Sequence, residues 1–216
     1  MSLPLFVKPI ASVYLSICFL LAATLPLIGQ DDYFQQEVNF SIQVELDDQL
    51  HQLRGQWGMD YHNNSPDTLT YIYLHLWPNA YQNRSTAFAQ QELASGSVDF
   101  YFAPDTDLGF IDSLSFSSKN KPLTILPTEL GPDVVKVILN EPLPPKRDVR
   151  IESPFRLQFP ASFSRLGHVG QSYQVTQWYP KPAVYDREGW HQMAYLDYGE
   201  YYSEFGSYDV SLTLPA

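Results

Sequence analysis

The sequence predicts an all-β protein: a β-sandwich or saddle-like sheet with one short helix, behind an N-terminal leader. Three observations carry this. Val38, Phe40, Ile42, Val44 and Leu46 alternate with Asn39, Ser41, Gln43 and Glu45, the period of two that marks a half-buried strand. Short apolar runs recur at even spacing between turn clusters, as in a sandwich, with no internal repeat or low-complexity linker to divide them. Only the segment after Ser85 carries the start and stop signals of a helix.

In chain order, Ile10 to Ala23 is an uncharged apolar run behind Lys8, followed by Pro26, Gly29 and Gln30. These are the n-region, h-region and small-residue exit of a secretory signal peptide over residues 1–30, in a run too short for a comfortable membrane span. An N-terminal membrane anchor is the alternative. Cys18, the only cysteine, lies inside this run. The expected mature chain, residues 31–216, therefore has no thiol, which excludes disulfides, cysteine nucleophiles and cysteine zinc sites.

The mature part opens with the Val38–Leu46 alternation. Asp47-Asp48-Gln49 turns it into a second, through Leu53, Gly55, Trp57, Met59 and Tyr61, so the pair reads as a β-hairpin. Asn63-Asn64-Ser65-Pro66-Asp67 is a turn whose polar side chains bond their own backbone. Leu69 to Trp77 is apolar on both parities, the pattern of a strand covered on both faces. The helix begins near Ser85 and stops at Gly96. Shorter strands follow over Phe110–Phe116, Val134–Leu139, Val149–Ile151 and Phe155–Phe159, with a Lys119-Asn120-Lys121 turn between the first two. Thr176-Gln177 reads as a further strand, and Tyr208 to Leu214 alternates cleanly.

The formal charge is −11, and loss of Lys8 with the leader, which has no acidic residue, takes it to −12. An acidic chain repels phosphate backbones and anionic lipid, which argues against nucleic-acid and membrane-surface binding. The charges are dispersed, as on a folded domain rather than an acidic tail. The leader places the protein outside the cytoplasm, secreted or periplasmic.

Catalytic patterns are absent. None of His51, His62, His75, His168 and His191 has a second histidine four residues away, so the H-E-x-x-H helix of a zinc protease is missing. There is no G-x-S-x-G elbow, and Gly96 and Gly109 are too isolated for a phosphate loop. His51 and His75 read as structural, and a triad of His168 with Asp186 or Asp197 has no motif behind it. Two loops remain: Ser164–Gln171, rich in glycine and polar groups, and Trp178–Asp197, aromatic and stiffened by Pro180 and Pro182. Long ordered loops of this kind are often functional. Their aromatic side chains serve equally to plug the end of a sandwich or to dock on another domain.

The Val38 strand, Asn63-Asn64-Ser65, Tyr73-Leu74-His75-Leu76-Trp77-Pro78-Asn79, Arg165-Leu166-Gly167, Thr176-Gln177-Trp178-Tyr179-Pro180 and Tyr208-Asp209-Val210 follow one another in an order that resembles a known family. It is the N-terminal domain of the aminopeptidase N family of zinc metallopeptidases, in particular its secreted bacterial branch, and the resemblance covers nearly all of residues 31–216. It implies a saddle-like all-β domain packed on a thermolysin-like catalytic domain. It implies that Gln177 lies on the wall of a peptide cleft and that the second residue after it, here Tyr179, stands where the family carries a Glu or Gln that holds the substrate amine. A phenol supplies no carboxylate at neutral pH, so strict aminopeptidase specificity is in question. The family's G-x-M-E-N loop, H-E-x-x-H helix and third zinc ligand have no counterpart in residues 1–216; zinc and peptide hydrolysis are expected in a catalytic domain beyond Ala216. The chain alone is then expected to bind no zinc and to be inactive.

The competing expectation is a secreted β-sandwich that binds carbohydrate or protein without catalysis. Trp178, Tyr179, Tyr185, Trp190, Tyr195, Tyr198, Tyr201 and Tyr202 would supply an aromatic platform for sugar rings.

Overall fold

The first alternation is strand β1 (Glu37–Asp47), with Val38, Phe40, Ile42 and Val44 buried. The Asp47 carboxylate accepts from the amides of Gln49 (3.0 Å) and Leu50 (2.9 Å) and turns the chain into β2 (Gln52–His62). The two strands pair antiparallel from Glu37↔His62 to Asp47↔Gln52, the hairpin that the sequence predicts. The structure is a computed structural model that describes residues 33–215. The leader predicted for residues 1–30, with Cys18, lies outside the described residues.

Asn63 ties off the next turn, and the chain enters β3 (Leu69–His75). Ile72 and Leu74 are fully buried on one parity. On the other, Trp190 packs on Tyr71 (6.1 Å between centroids) and Tyr73 (5.9 Å), and the Lys136 ammonium lies 3.6 Å from the Tyr71 ring. This second cover accounts for the two-sided apolar pattern. A buried 3-10 turn, Trp77–Tyr81, leads to helix α1 (Ala87–Ser95). Its cap is Thr86, whose hydroxyl accepts from the Ala89 amide at 3.2 Å, and Gly96 ends it at φ 90°. Ser85, one residue earlier, donates instead to Asn83 at 2.7 Å. A single helical turn, α2 (Asp99–Phe102), follows and sets Phe100 against Phe88 with centroids 5.0 Å apart.

β4 (Phe110–Asp112) is shorter than the alternation through Phe116 suggests, because Ser113 takes a left-handed backbone (φ 59°). β5 (Ser117–Ser118) and β6 (Lys121–Pro122) flank the predicted turn. β7 (Thr124–Thr128) and β8 (Gly131–Leu143) form a hairpin. β9 (Asp148–Gln158) unites two runs that the sequence separates at Ser153-Pro154. Pro154 falls between the residues that pair with β5 (Glu152) and with β4 (Arg156 to Gln158), a gap in the ladder that tolerates it. The remaining strands are β10 (Gly167–Val169), β11 (Ser172–Gln174), β12 (Lys181–Pro182), β13 (Val184–Asp186), β14 (Gly189–His191) and β15 (Tyr208–Thr213).

The larger sheet has the order β15-β1-β2-β9-β5-β6, with β4 also on β9; the second has the order β12-β3-β8-β7. β10-β11 and β13-β14 are separate hairpins. Ile42, Trp57, Met59, Ile151 and Leu157 of the larger sheet share one core with Ile72, Leu74 and Val137 of the smaller. The fold is the all-β sandwich that the alternation and turn spacing predict. β15 pairs parallel with β1, from Phe40↔Tyr208 to Glu45↔Thr213.

Candidate functional site

The segment that follows β11 holds both residues singled out by the resemblance. It is not a strand at Thr176-Gln177: β11 ends at Gln174, and Gln177 has a left-handed backbone at φ 52°. The Thr176 hydroxyl bonds the Arg165 carbonyl, eleven residues back across the β10–β11 hairpin. Arg165 donates to the carbonyl of Asp197 at 2.9 Å and lies 5.0 Å from the Tyr201 ring. The two loops singled out from sequence are thus tied to each other.

Gln177 and Tyr179 have different neighbours. The Gln177 amide oxygen accepts from the Lys181 ammonium at 2.8 Å. Tyr179 packs edge-on against Phe40 (5.3 Å) and donates from its hydroxyl to Tyr208 at 3.2 Å. Burial, and then the bond to Tyr208, push its phenol far above the ordinary range, so it stays neutral.

Lys181, which sequence reasoning passes over, and His75, which it reads as structural, come together here. Lys181 sits opposite His75 in the β12–β3 register, which puts both side chains on one face. Trp77 stacks on His75 with 4.5 Å between centroids and 12° between planes, and the Lys181 ammonium lies 5.1 Å from the same indole. Lys181 is 8% exposed and forms no ion pair among the described residues; burial lowers its pKa to about 8. His75 is lowered to about 3, by burial first and by Lys181 second. Its Nε2 accepts from the Met193 amide at 3.2 Å, so the proton is on Nδ1, which is buried without a partner. The stiff Pro180-Lys181-Pro182 run is the one local signal at Lys181.

The other histidines bond elsewhere. His168 stacks on His51 with centroids 3.7 Å apart and bonds the Gly170 carbonyl, while Asp186 pairs with His191 at 2.7 Å and Asp197 bonds Ser164. His168 meets neither carboxylate. Among the described residues no cluster of His, Cys, Asp or Glu has the make-up of a metal site, so the donors here do not fit zinc.

The aromatic loop is mostly packed inward. Tyr195 is buried, and Trp178, Tyr179, Tyr185, Trp190 and Tyr201 lie half-buried against the core, while Tyr198 and Tyr202 are exposed. A groove of about 640 Å³ runs beside this loop between β1 and β11, lined by Val44, Leu46, Tyr173, Trp178, Val210 and Leu212. Every residue of β15 is exposed; on its groove side Tyr208 is 50%, Val210 48% and Leu212 52% exposed.

No protein-family model matches the sequence, and no curated protein matches it. Among solved structures, the chain is similar to an M1 zinc metallopeptidase from Deinococcus radiodurans, at 14% identity over 61% of this chain and 22% of that one, with a TM-score of 0.37. It is also similar to a two-domain M1 zinc metallopeptidase variant bound to L-tryptophan, at 14% identity over 68% of this chain and 27% of that one, with a TM-score of 0.38. The chain spans about a quarter of the length of these structures.

Proposed function

We propose that residues 31–216 are the N-terminal scaffold of a secreted or periplasmic zinc metallopeptidase of the aminopeptidase type, forming one wall of its peptide cleft and inactive alone. In this reading zinc and the hydrolytic groups belong to a catalytic domain of the same polypeptide. Gln177 and Tyr179 are the substrate-side residues, Gln177 through its amide and Tyr179 through a hydroxyl that stays neutral.

The observation that carries the reading is β15. A strand that presents Tyr208, Val210 and Leu212 to solvent beside an apolar groove needs a cover, and apolar patches of this kind mark docking surfaces. The order of motifs from the Val38 strand to Tyr208-Asp209-Val210 supplies the identity of the cover: the catalytic domain of the resembled family.

The test compares the 216-residue chain with the product of the reading frame extended past the Ala216 codon. The expected result is no bound zinc and no cleavage of aminoacyl p-nitroanilides by the shorter chain, with chelator-sensitive turnover by the longer one. Zinc-dependent turnover by the 216-residue chain overturns the reading. So does a downstream frame that encodes neither G-x-M-E-N nor H-E-x-x-H.

A further inference from the structure

We propose that Gln177 and Lys181 form a recognition site for a carboxylate of the bound peptide, with Lys181 setting the polarity of the Gln177 amide. The inference rests on the cleft-wall reading above and names the substrate chemistry of that wall.

The argument starts from hydrogen-bonding valence. An ammonium has three donors and no acceptor, so the group that Gln177 turns to Lys181, 2.8 Å away, is its oxygen. The amide N–H groups then face away from Lys181. What this pair offers a ligand is two amide N–H donors and the remaining ammonium N–H groups. His75, across the β12–β3 register from Lys181, brings no acceptor that could neutralise the ammonium, since its Nε2 already accepts from the Met193 amide.

The charge points the same way. A buried ion without a counter-charge is costly to hold. Lys181 is 8% exposed, rests near an indole and pairs with no carboxylate among the described residues, in a chain whose formal charge is −11. Its lowered pKa, about 8, is the same cost expressed as proton affinity. The left-handed backbone of Gln177, uncommon for a residue with a side chain, is held by the Thr176 and Lys181 bonds on either side. An amide held with its oxygen on Lys181 and an uncompensated cation beside it are complementary to an anionic acceptor. A substrate ammonium at this spot meets a like charge, and on the Gln177 amide only the oxygen's second lone pair is left to accept from it.

A peptide carries a carboxylate at its C-terminus or on an Asp or Glu side chain, and the test separates the two. The 216-residue chain, with the Lys181 side chain and Trp77 indole followed by NMR, is titrated with three probes. They are N-acetyl-trialanine with a free C-terminus, N-acetyl-Ala-Glu-Ala-amide, and trialanine amide with a free amine. At least one carboxylate probe is expected to perturb both signals and to raise the Lys181 pKa toward the ordinary lysine value. The stronger of the two identifies the carboxylate. Lys181→Met and Gln177→Glu are each expected to weaken that probe about tenfold or more, the loss typical of a charge-assisted hydrogen bond. Lys181→Arg, which keeps the charge, is expected to retain binding, and the wild-type pKa shift stands as a readout if Lys181→Met fails to fold. Perturbation by the amine probe alone overturns the carboxylate inference and leaves the cleft-wall reading intact. No perturbation by any probe overturns the carboxylate inference, while the cleft-wall reading stands or falls on the zinc and reading-frame test above.

Discussion

Asn63 illustrates what one side chain does here. It has no exposed surface, and its amide donates to the carbonyls of Asp67 (2.7 Å) and Leu143 (3.0 Å) while its oxygen accepts from the amide (3.1 Å) and hydroxyl (2.6 Å) of Ser65. Asn63→Ala orphans these buried partners, at about 1–3 kcal/mol for each left dry. A loss of roughly 2–4 kcal/mol is expected in urea unfolding, with the m-value unchanged. Two titrating residues pull the pH profile in opposite directions. His75 titrates at about 3 in the fold against 6.5 unfolded, so the unfolded chain takes a proton that the fold refuses. Its contribution is complete above pH 6.5 and is lost as pH falls toward 3. Glu204 is opposite: burial raises it from 4.5 to about 7, so the fold keeps a proton that the unfolded chain releases, and that stability is lost as pH rises through 7. Between 4.5 and 6.5 the two slopes oppose each other. Urea midpoints are therefore expected to fall more steeply on acidification across that window in Glu204→Gln, which removes the opposing arm, than in the native chain. A midpoint that stays level in the variant disproves this assignment.

Among the elements, β15 is held by close backbone approach. Gly206 leads into it, and a Cβ there would lie 1.5 Å from the Val38 carbonyl oxygen. On either side of that contact the amides of Val38 and Phe40 donate to Phe205 (3.3 Å) and Ser207 (2.9 Å). Gly206→Ala is expected to unseat β15 from β1: amide-exchange protection is lost over Tyr208–Thr213 and kept in the β2–β9 ladder. Equal loss in both places would mean that β15 does not open on its own. The elements also explain which sequence signals served. Period-two alternation located β1, β2 and β15, and the Gly96 stop located the end of α1. The signal failed at Phe110–Phe116 and at Thr176-Gln177, where single left-handed residues, Ser113 and Gln177, end a strand pattern that their side chains do not betray.

For the whole molecule, the exposed side of β15 and its groove make the isolated chain prone to associate. Like charges oppose this, since the formal charge is −11 and repulsion weakens as salt screens it. Sedimentation is expected to reveal association that strengthens with added salt and weakens in a Val210→Asn, Leu212→Asn double variant. A monomer at all ionic strengths speaks against a face built for a covering domain. The candidate site has no counterpart to this in the sequence: an alternation identifies the face of a strand, whereas the neighbour across the ladder depends on register.

The sequence by itself determined the all-β class, the first hairpin, the two-sided cover of β3 and the absence of a hydrolase motif, because periodicity and turn chemistry are local properties of the chain. Only the tertiary structure decided that β15 lies parallel on β1, that Tyr179 packs on Phe40 and Tyr208, and that Lys181 faces His75 beside Trp77 with Gln177 turned to it. Apart from the Gln177–Lys181 bond and the His75–Trp77 stack, those contacts join segments far apart in the chain. They follow from which edges pair when one core closes, which local residue order does not encode.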